Sequence, residues 1–179
     1  MDALPPHFSV LGAVPASGRP DLLAEPVAAA IARLPEALVF EIDPALADTA
    51  ALNAALNLPA DSAANCVIVT GRRAGDERTV ACLALATTRV DVNRTVKQKL
   101  DVRKASFAPM EHATEVSGME YGGITPVGLP AGWPIWIDAA VDAQPWVCIG
   151  AGTRAAKLLV PGSSLKHLPG AEVVEGLAG

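Results

Sequence analysis

"NCVIVTG" (Asn65–Gly71) and "RTVACLALAT" (Arg78–Thr87) decide the fold class, together with the charged, glycine-containing joint "RRAGDE" (Arg72–Glu77) between them. Two apolar runs rich in β-branched residues, joined by such a segment, read as an antiparallel hairpin. The joint is taken as a loop longer than the two-residue minimum. Strands paired locally and mixed with helices favour α+β over a doubly wound parallel sheet.

The flanking sequence extends this pattern. "DLLAEPVAAAIARL" (21–34) is helical, with Pro26 moving its start toward Ala24 or Glu25. "ALVFEID" (37–43) is a short apolar strand, and Pro44 leads into an alanine-rich helix through about Leu56. Asp91 caps a helix whose Val92, Val96 and Leu100 repeat at i, i+4, i+8, with Arg94 and Lys97 on another face. "KASFA" (104–108) is a brief strand, and "MEHATEVSGMEY" (110–121) is helical until a glycine loop interrupts it. "PIWID" (134–138), "PWVCIG" (145–150) and "AKLLV" (156–160) are strands, "GSSLKHL" (162–168) is a short helix, and "AEVVEG" (171–176) is the last strand. No repeat, low-complexity linker or boundary divides the chain. The expectation is one α+β domain over residues 1–179, with a central mixed, largely antiparallel β-sheet flanked by helices.

Composition excludes several classes. With 51 % apolar and 18 % charged residues the chain reads as globular rather than disordered. No apolar run reaches the roughly 20 residues a bilayer requires, and the lysine- and arginine-free, proline-broken start before Arg19 is a poor secretory signal. Cys66, Cys82 and Cys148 sit apart in apolar runs, which reads as buried thiols in a reducing cytoplasm. Neither a membrane nor DNA is expected as a partner.

The net charge of −5 hides an asymmetry. Residues 1–69 carry eight acidic and two basic groups, whereas "RVDVNRTVKQKLDVRK" (89–104) carries six basic groups against Asp91 and Asp101. Such a patch can bind phosphates on an acidic protein, because screening limits each charge to about 8 Å at physiological salt. A solvated helix face is the competing reading.

Familiar catalytic and cofactor patterns are missing. His7, His112 and His167 are scattered without metal-ligand spacing, and neither a G-x-S-x-G elbow nor a G-x-x-x-x-G-K-[ST] loop occurs. "GAGTRA" (150–155) matches G-x-G-x-x-A after an apolar strand, but Pro161-Gly162 cuts short the helix that a dinucleotide site needs. No metal or cofactor is expected. "EYGGITPVGLP" (120–130) concentrates breakers instead. Gly122 and Gly123 allow main-chain N–H groups to approach a ligand, and Pro126 restricts Thr125, so the loop suits recognition of a carbonyl or carboxylate oxygen. A tight helix-to-strand connection is the alternative.

"AANCVIVTG", "ACLALATTRVDVN", "RKASFAPMEHATEVSGMEYGGITPVGLP", "PIWIDA" and "CIGAGTRAAKL" together resemble the YbaK-type aminoacyl-tRNA deacylases. These are relatives of the editing domain of bacterial prolyl-tRNA synthetase. The resemblance spans about residues 40–175 and places the family's G-x-x-x-P element at Gly122–Pro126. It implies a cytoplasmic α+β enzyme that hydrolyses mischarged aminoacyl-tRNA in trans, with backbone positioning of the aminoacyl group and help from the substrate's own ribose hydroxyl. It further implies Gly122 and Asn65 as catalytic positions, and Gly123, Ile124, Thr125, Pro126, Asp138, Gly150, Gly152, Arg154 and Lys157 around the substrate. Arg94, Lys97, Arg103 and Lys104 would meet the phosphates of the tRNA acceptor end, and an aminoacyl-tRNA synthetase is a further partner. Many members carry a Lys near Ala64 or Asn65, where this chain has none. Lys157 or Arg154 would supply positive charge from another side. A strand-end carboxylate is the competing role for Asp138, and loop filler for Thr125. A non-catalytic binder of the tRNA 3′ end or of a synthetase, and a small-molecule enzyme on the same fold, are the competing functions.

Overall fold

A computed structural model describes residues 2–179. The strands are β1 (Val14–Pro15), β2 (Leu38–Glu41), β3 (Ala64–Arg73), β4 (Asp76–Leu85), β5 (Ala105–Phe107), β6 (Ile135–Asp138), β7 (Val147–Gly150), β8 (Ala156–Val160) and β9 (Ala171–Val174). The helices are α1 (Pro6–Ser9), α2 (Glu25–Ala30), α3 (Thr49–Leu56), α4 (Lys97–Leu100), α5 (Met110–Ser117) and α6 (Ala139–Asp142). A π-type turn, Val92–Val96, leads into α4, and 162–168 forms a 3-10 helix over Gly162–His167.

The α+β class holds, but the strands divide between two sheets rather than one central sheet. One has the order β1-β2-β8-β7 and is antiparallel throughout, and the other is β5-β3-β4-β6-β9. In the larger sheet β3 pairs antiparallel with β4 and β5, while β4-β6 and β6-β9 are parallel. A parallel bridge from Ala63 to Cys148 joins the two sheets.

Period-2 alternation explains how one chain supports three apolar clusters. Ala81, Leu83 and Leu85 of β4 face Ala156, Leu158 and Val160 of β8 in the cluster between the sheets. The alternate residues Val80 and Cys82 pack outward against Val92, Val96 and Leu100 of the π–α4 segment. On the far side of the smaller sheet, Cys148 and Leu159 pack with Phe8, Phe40 and Trp146. The three cysteines are free thiols, two buried and Cys66 half-buried.

Local signals place the element ends. Asp48 caps α3 by accepting from Ala51 N at 3.1 Å, and Asp91 accepts from Arg94 N and Thr95 N. α2 starts at Glu25 with Pro26 in its first turn, as its sequence indicates. α5 ends earlier than the 110–121 reading, because Gly118 adopts φ +67° at its C-terminus and its N–H donates to Thr114 O.

The hairpin joint is also shorter than the sequence reading. β3 and β4 pair all the way to Arg73 and Asp76, leaving the two-residue turn Ala74-Gly75 with φ of +50° and +88°. Charged residues mark a solvent-exposed ribbon here rather than a loop. Both φ signs match a type I′ turn, where Asn-Gly is the favoured pair and an alanine in the left-handed region is disfavoured. Ala74→Asn is therefore expected to stabilise the fold by about 0.5–1 kcal/mol, read as a higher urea midpoint with an unchanged slope.

Candidate functional site

A cleft of about 750 Å³ opens beside the beginning of β3. It exists because β5 pairs with β3 only at Val69–Gly71, so the outer edge from Ala64 to Val67 has no partner strand. Ala64, Asn65, Cys66 and Val67 form one wall, and Ala50, Asn53, Ala54 and Asn57 of the α3 segment form another. Small side chains on that helix leave the gap unfilled. Tyr121, Gly122 and Ile124 enter from the glycine loop, and Gly150 and Lys157 from the smaller sheet.

The loop is held against the 150–153 segment by main-chain hydrogen bonds. Glu120 N donates to Gly152 O at 2.8 Å, and Gly152 N donates to Gly123 O at 2.7 Å. The two backbones approach so closely that side chains have no room. A Cβ at Gly123 would lie 2.5 Å from Thr153 O, and one at Gly150 would lie 2.4 Å from Gly123 O. Gly122 itself has φ +82°. Among the described residues the N–H groups of Gly122 and Ile124 have no hydrogen-bond partner, although both residues line the cleft. Unpaired main-chain N–H groups in a glycine-rich loop are of the kind that donate to ligand oxygens.

Two cations brace this loop. Arg154 donates from one nitrogen to Tyr121 O at 2.9 Å and from another to Pro44 O at 3.1 Å. Lys157 is buried, and its Nζ donates to Ala47 O at 3.2 Å and to Gly122 O at 3.3 Å. Burial lowers the Lys157 pKa, with the Arg154 charge adding to the effect while Cys148 and Asp48 oppose it. Lys157 makes no ion pair among the described residues.

The remaining residues singled out in the sequence separate into groups. Asn65 lines the cleft, and its Oδ1 accepts from Thr49 Oγ1 at 2.8 Å, which ties β3 to α3. Gly123 and Gly152 support the loop from behind instead of lining the cleft. Thr125 is fully buried outside it, with its Oγ1 unpartnered and its N–H directed at Met119 Sδ. Pro126 lies on the opposite side, lining a second cavity of about 700 Å³ with Leu129 and Trp133. Asp138 is likewise remote from the cleft. Its carboxylate caps α6 through Ala140 N and binds Ala178 N, both at 2.9 Å, so the strand-end role accounts for it.

Two of the four cationic residues lie at the other end of the ribbon, while Arg94 and Lys97 sit on the π–α4 segment that crosses the outer face of β4. Arg103 and Lys104 flank Gly71 and Arg72, roughly 20 Å along β3 from Ala64 at 3.3 Å per residue. Arg94, Lys97, Arg103 and Lys104 make no ion pair among the described residues, whereas Arg73 and Arg78 are neutralised by Asp101 and Lys99 by Glu172. The sequence reading missed Tyr121, whose ring is 57 % exposed although the residue lines the cleft. Its position inside the breaker-rich loop was the available signal.

Nothing in the cleft is an activated nucleophile. Burial pushes the Cys66 thiol far up, so at neutral pH it is a thiol and not a thiolate. Among the described residues no three His, Cys, Asp or Glu side chains converge as metal ligands.

The fold and cleft thus define an α+β domain whose cleft is lined by a tightly braced glycine loop beside one buried lysine. The sequence model of the aminoacyl-tRNA editing domain matches residues 43–168, and the chain belongs to that family. Among solved structures, the fold matches a candidate trans-editing enzyme for prolyl tRNA synthetase with TM-score 0.72 and 20% identity, over 97% of this chain and 98% of that one. It also matches hypothetical protein APE2540 with TM-score 0.75 and 22% identity, over 87% of this chain and 100% of that one. Comparison with curated proteins returns no match.

The Lys157 environment sets a pH dependence. Its folded-state pKa is lowered from the 10.5 of a free side chain. Between those two values the unfolded chain binds more protons than the folded one, so stability rises with pH across that window. Lys157→Met is expected to abolish this contribution, seen as a flatter stability curve as the pH rises toward 10.5 in matched urea titrations of the two proteins.

Proposed function

We propose that this protein is a trans-editing hydrolase that removes a mischarged amino acid from tRNA by hydrolysis of the aminoacyl ester. The observation that carries this reading is the pair of unpartnered N–H groups at Gly122 and Ile124 in the cleft of an aminoacyl-tRNA editing domain. Donors fixed in advance at the ester carbonyl stabilise the oxyanion that forms as water attacks. Water forms the new C–O bond, the bond to the ribose oxygen breaks, and the leaving ribose hydroxyl takes the proton. The neighbouring ribose hydroxyl of the substrate assists the attacking water, so no side-chain triad is required.

In this reading Arg154 holds the Tyr121 carbonyl and the Gly152 N–H holds the Gly123 carbonyl, which fixes the two peptides that carry the Gly122 and Ile124 N–H groups, and Lys157 braces the Gly122 carbonyl between them. Asn65 supplies neutral hydrogen bonding where related chains carry a Lys. Arg94, Lys97, Arg103 and Lys104 hold acceptor-end phosphates, a sequence-independent and salt-sensitive contact. The protein acts in the cytoplasm, where charged tRNA is made, and an aminoacyl-tRNA synthetase is its natural neighbour. The match to a candidate trans-editing enzyme for prolyl tRNA synthetase supports the same direction.

The test is a deacylation panel with purified protein and tRNAs charged with Pro, Ala, Ser, Thr or Cys. Turnover of at least one member is expected. Binding of tRNA without turnover of any would replace the hydrolase with a non-catalytic 3′-end binder. On the substrate that reacts, Gly122→Ala is expected to cost on the order of 10²-fold in kcat through displacement of the loop. Asn65→Ala and Lys157→Ala are each expected to cost about tenfold or more. Unchanged rates in all three would remove the site assignment.

A further inference from the structure

We propose that the exposed rings of Tyr121 and Phe107 stack the unpaired nucleotides leading into the cleft, with Arg103 and Lys104 holding the phosphates behind them. This rests on the tRNA reading above and deepens it by naming the surface that receives the single-stranded 3′ end.

Strand register lays out the path. Asn65 and Val67 line the cleft, and Val69, two residues further along the same face, is the pairing partner of Phe107. Phe107 therefore begins about 7 Å beyond Val67. Ala108 N donates to Ile68 O at 2.8 Å, so the chain is fixed to the β3 edge at that point. Ala105 pairs with Gly71, and Lys104 and Arg103 follow immediately. The line runs from cleft, to exposed ring, to cations free of ion pairs.

Phe107 is 56 % exposed on β5, and Tyr121 is 57 % exposed at the cleft wall. Neither contributes to an apolar cluster. Isolated exposed hydrophobics need no explanation, but here one lies inside the candidate site and the other on the strand that continues from it. Arg154 pins the Tyr121 carbonyl, which reduces the backbone freedom lost when a base stacks on the ring. A basic groove with aromatic platforms is the general solution for unpaired nucleic acid, since every base has a π-face. Charge complementarity selects a polyanion over an apolar peptide as the occupant.

The probe is a short, uncharged single-stranded RNA ending in CCA, labelled at its 5′ end and followed by fluorescence anisotropy. Tyr121→Ala and Phe107→Ala are each expected to weaken binding about tenfold, and Tyr121→Phe to restore it. Neither aromatic variant should change the slope of log K against log salt. Arg103→Ala/Lys104→Ala should make that slope shallower by about 1.4, at roughly 0.7 per single-strand phosphate contact. Val10→Ala, an exposed apolar change elsewhere, should bind as wild type. Circular dichroism checks that each variant is folded. Wild-type affinity in both aromatic variants, or no binding of the RNA by the wild-type protein, overturns the proposal. RNA binding with these losses but no deacylation of any charged tRNA would sink the hydrolase and leave the stacking surface standing.

Discussion

The arrangement depends on the close approach of two backbones, the Glu120–Ile124 loop and the Gly150–Thr153 segment. Gly152 N and Gly123 O meet at 2.7 Å, while Gly123 and Gly150 have no space for a β-carbon. Gly152 adds a third restriction, since a Cβ there would lie 2.5 Å from that of Ala24. This contact allows Arg154, next to the segment, and Lys157, in β8, to reach Tyr121 O and Gly122 O respectively. The same two side chains reach Pro44 O and Ala47 O, which fixes the approach to α3. Three walls of the cleft are thereby joined through four carbonyl oxygens and two cations.

Burying an ammonium without a carboxylate partner is costly, and the lowered Lys157 pKa expresses that cost. Its two carbonyl partners offset part of it. Retaining such a group is intelligible where it orients the backbone. The peptides that carry the Gly122 and Ile124 N–H groups are held by their Tyr121 and Gly123 carbonyls, and Lys157 holds the peptide between them. Cys66 contributes polarisable packing rather than reactivity. The chemistry available is that of fixed dipoles and positioning.

Most of the fold was legible because its signals are local. The Asp91 cap, the i, i+4, i+8 valine–leucine stripe and the apolar strand runs each concern neighbours along the chain. Features set by tertiary contact were not. Asp138 was read evenly between pocket and cap, and only the chain's return to Ala178 N accounts for its second oxygen. Pro126 shares a motif with Gly122 yet lines a separate cavity, with Leu129 and Trp133. The split into two sheets was hidden for a similar reason, because strand runs identify pairing-competent segments without their partners. "GAGTRA" is instructive in the other direction. Gly150 serves a close backbone approach, as in a dinucleotide fingerprint, but what approaches is the protein's own loop, while Gly152 makes room for Ala24 and Val27.

Separation of the cleft from the cations gives the long β3–β4 hairpin a mechanical meaning. In the proposed function an ester at the start of β3 and phosphates near Gly71 share one paired ribbon, so binding at one end would constrain position at the other. Contacts to a phosphate backbone are made equally before and during bond cleavage, and by themselves they improve capture without lowering the barrier. Donors at the loop, in the proposed hydrolysis, would act on charge that develops only as the ester is attacked. In the proposed hydrolysis the ribbon converts the first kind of binding into alignment for the second. The glycine loop accordingly needs rigidity more than reactive side chains, and the close backbone packing around Gly123 supplies it.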